Sequence, residues 1–147
     1  MTEQVAVELG NVQRTLLLPL WGRAAETQKA NPLLVDQTAL AIVKAVDYDF
    51  QTMAGNLSPL TQLAWIMRSV WTDEVVRGFL AKHPAATIVN VGCGLDTTFD
   101  RVDNGTLTWY DLDLPDVIDL RRHFIPETDR RIFISASLLE SGWMEHV

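Results

Sequence analysis

The sequence predicts an α/β fold, a short parallel sheet in the second half preceded by a helical segment. Three observations predict it. The hydrophobic period changes near Pro84, from three-and-four spacing to short β-branched runs. Three such runs, Thr87–Val91, residues 107–111 and Arg131–Ser135, alternate with two helical stretches, the order of a parallel sheet with right-handed crossovers. Gly92 and Gly94 stop the first run where a strand would give way to a helix.

The elements follow in order along a chain of 147 residues, one domain's length. Asn31-Pro32 reads as an N-cap with proline at the first helical position, opening a helix to about Ala45. Ser58-Pro59 repeats the signal. From there Leu60, Leu63, Ala64, Met67, Val70 and Trp71 form a stripe expected to be buried, continued by Val75, Val76, Phe79 and Leu80, with a break expected near Thr72. The helix should end before Pro84. A short helix is expected after Gly94 and another over residues 115–123. The organisation is therefore a helical segment over residues 1–83, expected to cover the sheet as a cap, and a sheet-forming segment over residues 84–147.

Composition excludes several functions. Twelve Lys and Arg against nineteen Asp and Glu give a net charge of −7, which speaks against a nucleic-acid partner, since tracking phosphates needs a basic stripe. One cysteine forms no intrachain disulfide and points to a reducing compartment. The opening MTEQVAVELG lacks a basic region followed by an apolar stretch, and the longest apolar runs, such as LLLPLW, fall far short of the roughly 20 residues of a membrane helix. The expectation is a cytoplasmic protein with neither membrane nor nucleic-acid partner. The three histidines show no metal-ligand spacing, and no metal site is expected. The five tryptophans read as core residues rather than a ligand platform.

The chemistry concentrates in VNVGCGLDTTFDR, residues 89–101. Gly92 and Gly94 allow a sharp turn and close approach of backbone to a ligand, but the third glycine of the dinucleotide fingerprint is replaced by Thr97. The second strand leads into Asp111-Leu112-Asp113, placing Asp113 21 residues after Gly92, where a carboxylate meets ribose hydroxyls. With no pyrophosphate cradle, S-adenosyl-L-methionine fits better than NAD. Each residue also has a plainer reading: Gly92 and Gly94 as turn residues, Asp113 as a helix cap, and Cys93 as a small loop filler rather than a nucleophile.

IVNVGCGLDTTFDR followed by WYDLDLPDVIDLRR resembles the first two motifs of the leucine carboxyl methyltransferase family, in particular its bacterial polyketide O-methyltransferase branch. The resemblance runs from about Arg14 to the end and includes SASLLESGWMEHV. It implies a partial Rossmann-like, class I S-adenosylmethionine-dependent methyltransferase sheet with an N-terminal helical cap. Family members run on for another hundred residues or more, so the resemblance covers an N-terminal part.

By that resemblance Gly92 and Gly94 form the loop beside the methionine moiety and Asp113 binds the ribose. Asp111 is the less favoured choice because its side chain is expected on the opposite strand face. Arg68 would hold the cofactor's carboxylate, against the plainer reading of a surface salt bridge. Ser137 and Leu138 would flank the adenine, and Arg23, in an Arg-Ala-x-Glu stretch, would line the same pocket. The implied activity is O-methylation of a carboxylate or hydroxyl of a small polyketide-like metabolite. The alternatives are methylation of a protein C-terminal carboxylate, or a non-catalytic fragment that binds cofactor or serves in assembly. No general base stands out. An unpaired apolar edge at Thr87–Val91 leads to the further expectation of self-association.

Overall fold

Apolar runs of five or six residues, cut by glycine and proline, become the strands of this protein. The computed structural model describes residues 16–55 and 57–147. The signal-peptide reading of residues 1–10 and the start of the resemblance near Arg14 lie outside them. The chain divides into two compact units, one reaching to Glu74 and the other running Val75–Val147.

The first unit is helical: α1 (Leu17–Thr27), α2 (Gln37–Ala45), α3 (Phe50–Ala54) and most of α4 (Pro59–Leu80). Pro19 is tolerated in the first turn of α1, where no intrahelical partner awaits its missing N–H. Leu17, Leu20 and Ala24 of α1 are buried, as are Ala39 and Ile42 of α2. The two helices are also tied by charge. Arg23 Nε donates to Asp36 Oδ2 at 2.8 Å, and both side chains are buried.

Asp36 corrects the expected helix start. Its Oδ1 accepts the Ala39 N–H at 2.9 Å, which makes Asp36 the N-cap and Gln37 the first helical residue, rather than Pro32. Part of the preceding segment is held off helical hydrogen bonding, because the Leu33 N–H donates to Glu26 Oε1 at 2.8 Å.

Helix α4 starts where Ser58-Pro59 predicts, with Ser58 Oγ accepting the Thr61 N–H at 3.1 Å. The expected break at Thr72 is absent. The Thr72 hydroxyl donates one turn back to the Arg68 carbonyl at 2.9 Å, and the helix runs on to Leu80. The expected buried stripe holds at Leu80, which is buried with Val76 packed against the same core, and is overturned over most of its length. Leu60 is 76% exposed and Trp71 65%, and Leu63, Met67, Val75 and Phe79 are exposed with them. What α4 buries is the seven-residue series Ile66, Asp73 and Leu80. Periodicity locates an apolar stripe, but burial depends on what covers it. Of the five tryptophans, only Trp109 is fully in the core.

The second unit holds the sheet. Strands β1 (Thr87–Val91), β2 (Thr108–Asp113) and β3 (Arg131–Ser135) are parallel and pair in the order β1-β2-β3. The crossovers are α5 (Thr98–Val102) and α6 (Pro115–Arg122), and a 3-10 turn spans Ser141–His146. Register places Ile88 beside Trp109 and Arg131, and Asn90 beside Asp111 and Phe133. Side chains alternate across a strand, so these six share one face. Both crossover helices lie against it. Phe99 of α5 meets Trp109 edge-on at 6.0 Å, and Arg121 of α6 reaches Asp111. Leu80, Phe99, Val102, Leu107 and Trp109 form its core cluster. β1 and β3 are the outer strands, and neither proline nor lysine interrupts β1. No described helix is long and apolar enough to cross a membrane.

Candidate functional site

The site begins with the turn after β1. Gly92 and Gly94 adopt φ of +65° and +48°, left-handed conformations that a side chain would strain. The Gly92 and Cys93 N–H groups both donate to the Leu112 carbonyl, at 2.8 and 3.2 Å, so the turn folds back over the end of β2. The Gly94 N–H donates to Asp113 Oδ2 at 2.8 Å, and Asp113 Oδ1 accepts the Leu114 N–H at 2.8 Å. Asp113 therefore holds the backbone N–H just before α6 and pins the glycine turn at once.

A cavity of about 210 Å³ opens at the carboxyl ends of the strands, lined by Gly92, Asp113, Ser137 and Leu138 among others. This is where open α/β sheets bind ligands. Four of the seven expected site residues thus surround one cavity, and Gly94 is bonded to one of them. A larger groove of about 580 Å³, lined by Tyr110, Ile132, Ile134 and Trp143 among others, shares Ala136 with it but includes neither the glycine turn nor Asp113. The smaller cavity brings together the glycine turn, a carboxylate and a serine; the larger one is a groove on the opposite sheet face.

Asp111 does not point to the opposite face as expected: residues two apart on a strand share a face, and Asp111 and Asp113 both lie on β2. Hydrogen-bonding capacity separates the two aspartates instead. Asp111 is 0% exposed. Its Oδ1 accepts from Asn90 Nδ2 and Trp109 Nε1, both at 2.9 Å. Its Oδ2 accepts from an Arg121 terminal nitrogen at 2.7 Å and from Arg131 Nε at 3.1 Å. A carboxylate has about four acceptor positions, and all are filled. Asp113 uses two of about four, leaving the capacity that two vicinal hydroxyls would need.

Arg23 and Arg68 belong to the first unit. Arg23 is paired with Asp36, which gives it a structural role in α1–α2 packing. Arg68 is exposed on α4, and no salt bridge engages its side chain among the described residues. Arg121 carries the feature the sequence did not reveal. Its guanidinium is fully buried and donates to the Gly94 carbonyl at 2.8 Å. Within Pro115–Arg122 nothing in the pattern distinguishes it from its exposed neighbour Arg122.

The leucine carboxyl methyltransferase family matches residues 17–145, most of the chain. The protein belongs to that family. Its three parallel strands are accordingly a partial Rossmann-like methyltransferase sheet. The chain is 35% identical over 142 residues to the tetracenomycin polyketide synthesis O-methyltransferase TcmP of Streptomyces glaucescens, covering 96% of this chain and 52% of that protein. It is 32% identical over 130 residues to the S-adenosyl-L-methionine-dependent methyltransferase dpfgK of Gibberella zeae, covering 82% of this chain and 43% of that one. The chain spans about half the length of these relatives.

Within this family member, Cys93 is held as a buried thiol rather than a nucleophile. Burial pushes it up from 9.0 to about 12, with neighbouring Asp111, Asp113 and Asp96 adding to the rise against Arg121. That rise cuts the thiolate fraction at neutral pH about a thousandfold, and the thiolate is the reactive form. Because Cys93 is the single cysteine, whole-protein alkylation reports it alone. Native protein at pH 7.5 should react with iodoacetamide at least about a hundredfold more slowly than protein unfolded in urea. Equal rates would contradict the buried turn.

Proposed function

We propose that this chain binds S-adenosyl-L-methionine at the carboxyl ends of β1–β3 and forms part of an O-methyltransferase acting on an oxygen of a small polyketide-like metabolite, in the cytoplasm. The observation that carries the reading is Asp113: a carboxylate at the end of the second strand, facing a cavity beside a positive-φ glycine turn, with half its acceptor capacity open. In this reading Asp113 accepts the two ribose hydroxyls. Gly92 lets the backbone approach the methionine side, and an added Cβ there would meet nothing within 4 Å, so its requirement is conformational rather than one of space. Ser137 and Leu138 flank the adenine. Family resemblance assigns Arg68 the cofactor's carboxylate.

When bound, the cofactor supplies an already activated methyl group on its sulfonium. The protein's work is then positioning and exclusion of water. The polyketide-like acceptor is favoured over a protein carboxylate by the likeness to the tetracenomycin enzyme, which covers 96% of this chain.

Calorimetry with S-adenosylhomocysteine and adenosine tests the assignment. Asp113→Ala should weaken both ligands, since hydrogen bonds to a charged acceptor are worth about 1.5–3 kcal/mol each, at least about tenfold in affinity. It should also lower the melting temperature, because the Gly94 and Leu114 N–H groups lose their acceptor. Arg68→Lys should weaken S-adenosylhomocysteine and spare adenosine, as lysine lacks the bidentate fork. Undiminished binding by Asp113→Ala would sink the ribose assignment; equal weakening of both ligands by Arg68→Lys would sink the carboxylate one.

We further propose that the outer edge of β1 pairs with a second copy of the chain. A β-branched edge without lysine, proline or bulge is a template for another strand. Light scattering should show the mass rising with concentration, and Val89→Lys should suppress the rise. A concentration-independent monomer would rule the pairing out.

A further inference from the structure

We infer that Arg121, oriented by Asp111, is a positioning residue for the glycine turn, holding Gly94 from the side opposite Asp113. The inference rests on the cofactor reading above and adds to it a residue that touches no ligand. Gly94 is held at both of its peptide groups: its N–H by Asp113 Oδ2 and its carbonyl by Arg121, each at 2.8 Å. The two restraints come from different elements, β2 and α6.

An arginine suits this position because one planar fork meets two acceptors at once. One terminal nitrogen of Arg121 takes the Gly94 carbonyl and the other takes Asp111 Oδ2 at 2.7 Å. Asp111 in turn is fixed by Asn90 on β1, Trp109 on β2 and Arg131 on β3. Asn90 also donates to Asp96, whose carboxylate holds Thr98 at the start of α5. The guanidinium carbon lies 5.1 Å from the centre of the Phe133 ring, which closes its remaining flank. Turn, strands and both crossovers therefore share one polar network, in which Arg121 meets the Gly94 carbonyl.

Buried ionic networks of this kind commonly add little stability over a well-packed apolar core. Position is what it supplies. With the Gly94 carbonyl released, the Asp113 bond alone restrains Gly94, so the turn opens more readily, the Gly94 N–H leaves Asp113 more often, and a ligand would have to reorder the turn on binding.

The test uses the full chain and three forms. Arg121→Ala leaves a cavity beside a buried carboxylate and is prone to unfold, so the informative variant is Arg121→Lys, which keeps a positive charge at Asp111 but cannot fork to Gly94. Arg122→Lys, on the exposed neighbour that pairs with Asp119 and Glu127, is the control. Amide hydrogen exchange is followed by NMR at Gly94 and at the strand residues Trp109 and Phe133, alongside calorimetry with S-adenosylhomocysteine. In Arg121→Lys, Gly94 exchange should accelerate at least about tenfold while the strand amides change less than about twofold. Affinity for S-adenosylhomocysteine should fall about tenfold. Arg122→Lys should match the wild type in both. Uniform acceleration of all three amides, unchanged Gly94 exchange, or unchanged affinity would overturn the positioning role. A wild-type chain that binds no S-adenosylhomocysteine would instead sink the cofactor reading, and the inference with it. Wild-type binding retained in full by Arg121→Lys would sink the inference alone.

Discussion

The carboxylate of Asp111 is the interaction on which the second unit depends. Four donors from β1, β2, β3 and α6 converge on it, and three of them, from Trp109, Arg121 and Arg131, belong to buried side chains. Burying a charge is costly, and such clusters commonly add little stability over a well-packed apolar core, but removing one member costs about 3–5 kcal/mol because the others are stranded. What the cluster supplies is register. A slip of one residue between β1 and β2 would turn Asn90 away from Asp111, and a slip of β3 would remove Arg131.

From that fixed frame the site follows. Asp113 stands two residues further along the same strand face, where the sheet ends and acceptor capacity is left over. Two aspartates of identical chemistry thus take opposite roles because of their depth. One is saturated and organises the sheet; the other is half-saturated and faces a cavity. The glycine turn lies between their networks, with Gly94 bonded on one side to Asp113 and on the other, through Arg121, to Asp111.

Much of this architecture was legible in the sequence. Thr87–Val91 and Arg131–Ser135 are strands over the residues expected, because β-branched runs ended by glycine or loop residues leave little choice. The helix from Pro115 and the start at Ser58-Pro59 were readable from proline at the first helical position. The cavity gathers Gly92, Asp113, Ser137 and Leu138, which the glycine turn and the family resemblance had singled out. Three features were not legible, each for its own reason. Asn31-Pro32 offers a cap signal, but Asp36 is the residue whose carboxylate meets a free N–H, and local signals cannot rank the two. The apolar stripe of α4 is real in sequence but exposed in the structure, since burial is a tertiary property. Arg121 looks like any charged residue at the end of a short helix; its burial follows from a partner ten residues away and a carbonyl 27 residues away.

The central claim is that the end of the sheet, built around Asp113 and the glycine turn, is the cofactor site. Its most direct test is an amide-resolved NMR titration of the full chain with S-adenosylhomocysteine. The account predicts saturable shifts confined to Gly92, Gly94, Asp113, Ser137, Leu138 and their neighbours, with Tyr110, Ile132 and Trp143 in the larger groove unmoved. Shifts centred on that groove, or none at saturating ligand, would contradict it.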